Sequence, residues 1–289
     1  MKLALGTAQF GLKYGIANDS GQVNIDDVSK IIRLASSSGI NTLDTAIDYG
    51  ESQSILGNVG IEEYQIITKI PSMNQFHGDV YLKIREYVLE SLRNLKIFKL
   101  HGLLLHRPDE LLGPKGLALW LALRRLKEEG LVKKIGYSIY SPDQLDKIYE
   151  LYPADIVQAP YSIVDRRICT SGWLEELFVN DVEVHVRSVF LQGLLLMKSD
   201  KRPKKFNEWH ELWHYWDDWL KLNSLSPLEA AMKFVLSNKH ISRIVVGVDS
   251  PNQLLEIIES TKTDLPLLFP KELSSESERL INPSNWNYL

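Results

Sequence analysis

The 289-residue chain carries 33 Lys and Arg against 37 Asp and Glu, a formal net charge of −4, and a single cysteine, Cys169. This balance excludes a basic nucleic-acid surface, and no long like-charge run marks an interaction tail, so a small, roughly neutral ligand fits better. One thiol also excludes an internal disulfide and a cysteine-based zinc site, as a reducing cytoplasm permits.

The opening MKLALGTAQFG holds an apolar run much too short for a signal peptide. No segment approaches the roughly 18 apolar residues of a membrane span, so a cytoplasmic location and no membrane partner are expected. From there, short β-branched or Leu-rich runs alternate with stretches of helical periodicity. The expected strands, in chain order, are KLALG, INTLD, YQIITKI, LHGLLLH, KKIGYSI, DIVQA, VEVHVRSV and RIVVGV. Between them the periodicity predicts helices over 26–38, 51–56, 79–95, 115–129, 142–151, 164–180, 227–238 and 251–260. Ser141-Pro142, Ser226-Pro227 and Ser250-Pro251 read as helix starts, the serine capping and the proline fitting the first turn.

Strict alternation of strand and helix implies parallel strands with right-handed crossovers, and eight such units close into a barrel. The expected fold is therefore a single (β/α)8 TIM barrel over residues 1–289. A doubly wound open sheet is the alternative, but GTAQFG after KLAL lacks the GxGxxG spacing of its phosphate turn. One stretch after the seventh strand, LMKSDKRPKKFNEWHELWHYWDDWLKLN, exceeds the rhythm. It is expected either to extend a loop on the C-terminal face or to pack as a helix on the barrel flank through Trp209, Trp213 and Trp216.

Active sites of such barrels are built at the C-terminal ends of the strands. There the chain places Asp44 with Tyr49 just beyond, then Thr68-Lys69, then His106-Arg107-Pro108. A free phenol, with a pKa of about 10, exchanges protons poorly near neutrality. A nearby Lys69 ammonium would stabilise the tyrosinate, Asp44 would hold the ammonium, and His106 would orient a carbonyl oxygen. Such a group suits proton delivery to an oxyanion as a carbonyl is reduced, the hydride coming from a cofactor and no metal being required.

LDTAIDYG, followed by ITK and LLLHRP, resembles the aldo-keto reductases in order and near spacing, and the resemblance runs from GTAQFG to VVGVDSPNQL. It implies that Tyr49 is the general acid, that Lys69 and Asp44 tune it, and that His106 positions the substrate carbonyl. It also implies nicotinamide-cofactor contacts at Gly6, Thr7, Asp44, Ser138, Gln158, Ser188, Gly193 and Gly247. Two positions depart from the family: Ile139 stands where asparagine is common, and Arg187 where a tyrosine usually stacks on the nicotinamide ring. The guanidinium of Arg187 could stack, could engage an anionic substrate group, or could make a salt bridge across the mouth. Near the expected adenosine end stand Asp249 and Gln253, where relatives often carry Lys or Arg. The resemblance implies NADPH and NADP+, with NADH possible because Asp249 could accept a hydrogen bond from a free ribose hydroxyl. Arg243, close in sequence, and Ser250 at a helix start could still receive a phosphate. Tyr14, Asn18 and Trp209, on the loops expected to set specificity, suit a sugar or another hydroxylated carbonyl.

Two other readings compete. His210-Glu211-Leu212-Trp213-His214 matches the HExxH pattern of zinc proteases, but YWDDWLK immediately after it supplies no third histidine ligand. A non-catalytic barrel that keeps its cofactor pocket for redox sensing or partner binding is the second, against which the complete tetrad argues.

Overall fold

The structure, a computed structural model, describes residues 1–262 and 267–288. Eight strands, β1 (Leu3–Gly6), β2 (Thr42–Asp44), β3 (Gln65–Ile70), β4 (Leu100–Leu105), β5 (Val132–Ser138), β6 (Ile156–Pro160), β7 (Glu183–Arg187) and β8 (Arg243–Gly247), run parallel in sequential order and close into a barrel. Helices lie between them: α1 (Ala8–Gly11), α2 (Ile25–Ser37), α3 (Ser52–Val59), α4 (Val80–Leu95), α5 (Gly116–Glu128) and α6 (Asp143–Ile148) in the first part of the chain. The remainder are α7 (Arg167–Thr170), α8 (Trp173–Val179), α9 (His210–Leu222), α10 (Pro227–Leu236), α11 (Pro251–Ser260) and α12 (Glu278–Ile281). The expected (β/α)8 barrel is thus the fold, and among the described residues no helix is long and apolar enough to cross a membrane.

Most strand residues are buried. Their outward Leu, Ile and Val side chains join the helices in one extensive apolar layer, while Ile67, Leu104 and Ile156 form a small separate cluster. Glycine makes room beside that cluster: a methyl group on Gly102 would lie 2.7 Å from Ile67 and 2.8 Å from Ile156. Above and below the cluster the inward positions are polar, and the upper layer is the functional one.

Helix starts match the expected chemistry at most places. Ser226 caps α10 in a reciprocal box with Glu229, Ser250 caps α11 through the Gln253 N–H, and Asn24 and Asp79 cap α2 and α4. At Ser141-Pro142 the cap is absent, and α6 begins one residue later than the proline. The helix expected over 164–180 is instead two, α7 and α8, because Gly172 between them adopts φ +87°. The seventh strand stops at Arg187 rather than running on, because Ser188 turns to φ +60°.

The Trp-rich insertion forms α9, which packs on the short helical segments Lys204–Trp209 and Lys271–Leu273, on Phe269 and on the Leu195 carbonyl. Trp213, Trp216 and Trp219 are its buried face, whereas Trp209, just before it, lies half-buried beside Phe206 and Arg279. His210 and His214 sit on the outer face, with rings 6.4 Å apart and nearly perpendicular, and His210 Nδ1 faces the carbonyl of Asn207. Among the described residues, no group of three or more His, Cys, Asp or Glu could hold a metal.

Trp216 is 1% exposed, stacks on Trp219 at 5.9 Å and donates its indole N–H to the Leu195 carbonyl, whereas Phe98 is 97% exposed. Trp216→Ala is therefore expected to cost about 3–5 kcal/mol in denaturant unfolding, and Phe98→Ala no more than about 0.5 kcal/mol. Equal costs would show that the insertion is not part of the cooperative core.

Candidate active site

Strand register sets the site. Asp44 pairs across to Gly6 and Ile67, Lys69 to Leu104, Ser138 to Gln158, and Pro160 to Arg187, so these strand ends meet at one mouth. Lys69 Nζ donates to Asp44 Oδ1 at 2.6 Å and to the Thr45 carbonyl at 3.0 Å, and both charged groups are buried. The other Asp44 oxygen accepts from Gln158 Nε2 at 2.7 Å, and Ser138 Oγ donates to Gln158 Oε1 at 3.2 Å. Arg187 then caps this chain, with Nε 3.4 Å from Ser138 Oγ, one terminal nitrogen donating to Ser188 Oγ and the other to the Ile139 carbonyl. Its guanidinium carbon lies 4.8 Å from the Tyr140 ring centre, so the arginine is held by hydrogen bonds and stacks on an aromatic ring of the protein itself.

Tyr49 reaches the mouth from the turn after β2. That turn depends on a close approach of backbones: a methyl group on Gly11 would lie 1.8 Å from the Tyr49 carbonyl oxygen, and one on Gly50, at φ +54°, would lie 2.5 Å from the Gly11 carbonyl oxygen. Ser52 Oγ ties the same turn to Thr7. The Tyr49 ring stands 5.3 Å from Lys69 Nζ and edge-on to His106 at 6.1 Å between centres. All four members of the expected tetrad therefore come together.

The electrostatic balance differs from the simple expectation. Burial, followed by the Asp44 carboxylate and the Tyr14 phenol, holds the Tyr49 hydroxyl well above its ordinary value, and the nearby cation that pulls it back most is Arg187. Burial lowers the Lys69 ammonium's own pKa while Asp44 supports it. His106 is pushed down to about 4 by burial and by the cations Lys69, Arg187 and Arg107, so its imidazole is neutral at physiological pH. Asp48 Oδ2 lies 3.7 Å from its Nδ1.

A cavity of about 390 Å³ opens from this point along the β1, β7 and β8 ends to α11, within the size range of small-ligand sites. Gly6, Thr7, Asp44, Tyr49, Gln158, Arg187, Ser188, Gly193, Gly247, Asp249 and Gln253 line it. Ser138 does not: it is buried beneath Arg187 and acts through it. Lys69 and His106 likewise lie off this wall, the first buried under Asp44 and the second on the far side of Tyr49. Arg243 belongs to the opposite end of the barrel, where it bonds Thr42 Oγ1 and the Ser242 carbonyl, because it begins β8 instead of ending it. Trp209 is absent from the wall, and Asn18 reaches it by donating to Asp249 Oδ1 at 2.9 Å.

The structure adds wall residues that sequence reading missed, namely Gln9, Phe190, Gln192, Leu228 and Glu256. Gln192 belongs to a loop in which Ser188, Leu191, Gln192 and Gly193 all have positive φ, an arrangement that costs on the order of 1–3 kcal/mol at each non-glycine. The run VFLQG carried no local turn signal except its glycine. Glu256 would have been found by counting one helical turn, three residues, beyond Gln253 on α11.

Gly6, Gly193 and Gly247 line the cavity beside Tyr49 and Arg187, and the Gln9 amide packs so close to Gly247 that a methyl group there would lie 2.4 Å from it. These are features that fit a nicotinamide dinucleotide, whose ring would lie over Arg187 and Gln158. The family model for the aldo/keto reductase family matches residues 2–270. D-threo-aldose 1-dehydrogenase of a Pseudomonas species is 25% identical, over 91% of this chain and 92% of its own length. The aldo-keto reductase YhdN of Bacillus subtilis is 30% identical, over 87% of this chain and 83% of its own. Among solved structures, an aldo-keto reductase from Bacillus halodurans in its holo form superimposes with a TM-score of 0.74 at 20% identity, covering 96% of this chain and 95% of that one, a likeness of fold. The chain belongs to the aldo-keto reductase family, enzymes that reduce carbonyl compounds with a nicotinamide cofactor.

Proposed function

We propose that the protein reduces an aldehyde or ketone bearing hydroxyl groups, with Tyr49 as the proton donor. The observation that carries this reading is the convergence of Tyr49, Lys69, Asp44 and His106 beside a cavity of about 390 Å³ whose wall includes Tyr49 and Asp44. The bound nicotinamide would supply the hydride to the carbonyl carbon. Tyr49 gives its proton to the carbonyl oxygen as negative charge develops there, and its raised pKa means the donor is protonated before reaction. The Lys69 ammonium is in place to stabilise the phenolate that remains, and Asp44 and the Thr45 carbonyl fix the ammonium's direction. Neutral His106 donates a hydrogen bond to the same carbonyl oxygen without itself competing for the proton.

A hydroxylated substrate is supported by the phenols of Tyr14 and Tyr140 around Tyr49, which influence its ionisation, and by Asp48 beside His106. The Pseudomonas relative is named for an aldose, which points the same way. The cytoplasm, where reduced nicotinamide is abundant, is the expected location.

Tyr49→Phe is expected to lower kcat by about 10²–10⁴-fold on a panel of keto and aldo sugars, with cofactor dissociation constants within about threefold of wild type. Unchanged turnover would remove Tyr49 from the mechanism. Lys69→Met leaves Asp44 as an uncompensated buried charge, so it should cost about 3–5 kcal/mol of stability as well as activity; a variant that only weakens substrate binding would contradict the role given to the ammonium.

The acidic limb of kcat/KM should sit near 4 and not near the free imidazole value of about 6.5. The sign is set by protonation: folded His106 takes its proton only below about 4, while the unfolded chain takes it at higher pH, so this residue also weakens the fold as pH falls between those values. A midpoint near 6.5 that vanishes in His106→Gln would show an exposed, charged imidazole.

Arg187 should repel the cationic oxidised nicotinamide ring and not the neutral reduced one. Dissociation constants for both forms, measured in wild type and Arg187→Tyr, are expected to show tighter binding of the reduced form in wild type and a smaller ratio in the variant; an unchanged ratio would refute the effect.

A further inference from the structure

The two ends of the cavity differ in charge. Among the described residues that line it, Arg187 is the one cation, and it stands at the Tyr49 end. At the other end the wall is Asp249, Gln253 and Glu256, with no lysine or arginine among them. A dinucleotide whose nicotinamide lies at Tyr49 must bring its adenosine to that second end.

Part of the donor set there is already in use. Ser250 Oγ accepts from the Gln253 N–H, and the Asp249 N–H donates to Gln253 Oε1 at 2.8 Å. Pro251 has no N–H, so two of the first three residues of α11, Pro251 and Gln253, offer no N–H to a phosphate. Asn18 Nδ2 donates to Asp249 Oδ1 and also to the Gly21 carbonyl, which fixes the carboxylate's rotamer from the opposite side of the cavity. Burial raises the Asp249 carboxyl from its ordinary value, and hydrogen bonding from the Gln253 and Asn18 side chains pulls it back toward the acceptor form; Oδ2 is the oxygen that Asn18 leaves unbonded.

We propose that this acidic end of the cavity, Asp249 held by Asn18 with Gln253 and Glu256 beside it, selects the dinucleotide with an unphosphorylated adenosine ribose, NAD(H), over NADP(H). The inference rests on the reading of the cavity as a nicotinamide site. A ribose 2′-phosphate carries close to two negative charges and would meet two carboxylates and no cation. A free 2′-hydroxyl instead donates to Asp249 Oδ2, as it does to an acidic residue in dinucleotide folds. The preference for the phosphorylated form implied by family resemblance depends on basic side chains that this end of the cavity lacks. Arg243 does not replace them, since it is bound at the opposite end of the barrel.

The test is equilibrium binding, read by quenching of tryptophan fluorescence and by calorimetry, for NADH and NADPH and for the fragments AMP and 2′-phospho-AMP. NADH is expected to bind at least tenfold more tightly than NADPH, and AMP more tightly than its 2′-phosphorylated form. The double variant Asp249→Ser with Gln253→Arg should move the NADPH to NADH ratio at least tenfold toward NADPH, and Glu256→Gln should move it in the same direction by less. Equal or tighter binding of NADPH by the wild type, or a ratio unmoved by the double variant, would overturn the proposal while leaving the nicotinamide site intact. Failure of both dinucleotides to bind would overturn the reading of the cavity, and this proposal with it.

Discussion

The ion pair between Lys69 and Asp44 is the contact on which the rest of the barrel mouth depends. Removing both charges from water is costly, on the order of several kcal/mol per ion, and the cost is offset only because each charged group finds good partners. Asp44 divides its two oxygens between Lys69 and Gln158, and Lys69 adds the Thr45 carbonyl. Gln158 then positions Ser138, and Ser138 meets Arg187. One buried pair thus links β2, β3, β5, β6 and β7 through side chains, and a change at any member is felt at the others.

This linkage explains how a half-buried tyrosine can be both rigid and reactive. Two glycines, Gly11 and Gly50, let the turn carrying Tyr49 press against the segment after β1, a separation that no side chain would permit. The ring is left between Lys69 on one side and His106 on the other, with Arg187 acting from across the mouth. Burial keeps the phenol protonated, which is the state the proposed role of proton donor requires. Conformational strain is concentrated in the loop after β7, where four residues from Ser188 to Gly193 have positive φ and the loop forms part of the cavity wall.

The same cavity separates two electrostatic tasks. Its chemical end gathers cations around a proton donor, whereas its far end presents carboxylates, of which Asp249 is oriented by Asn18.

The strand and helix alternation, and with it the barrel, was legible in the amino-acid order because each unit buries both faces of a short strand and one face of a helix, which leaves a strong apolar period. The tetrad was legible too, since strand ends of a parallel barrel all face one mouth, so Asp44, Lys69 and His106 could be placed from strand position alone. Local order was a poor guide to everything decided by distance in space. Arg243 lies six residues before Asp249 yet at the opposite end of the barrel, because a five-residue strand intervenes. Trp209 belongs to the packing of the insertion, and Ser138 lies under Arg187 rather than on the cavity wall. The amino-acid order by itself determined the barrel and the identity of the groups at its mouth. Only the tertiary structure decided that Arg187 acts on the phenol from across the mouth, that Gly11 shapes the turn of Tyr49, and that the Gln253 N–H at the start of α11 is already in use, because charge balance and hydrogen-bond use depend on neighbours far apart in the chain.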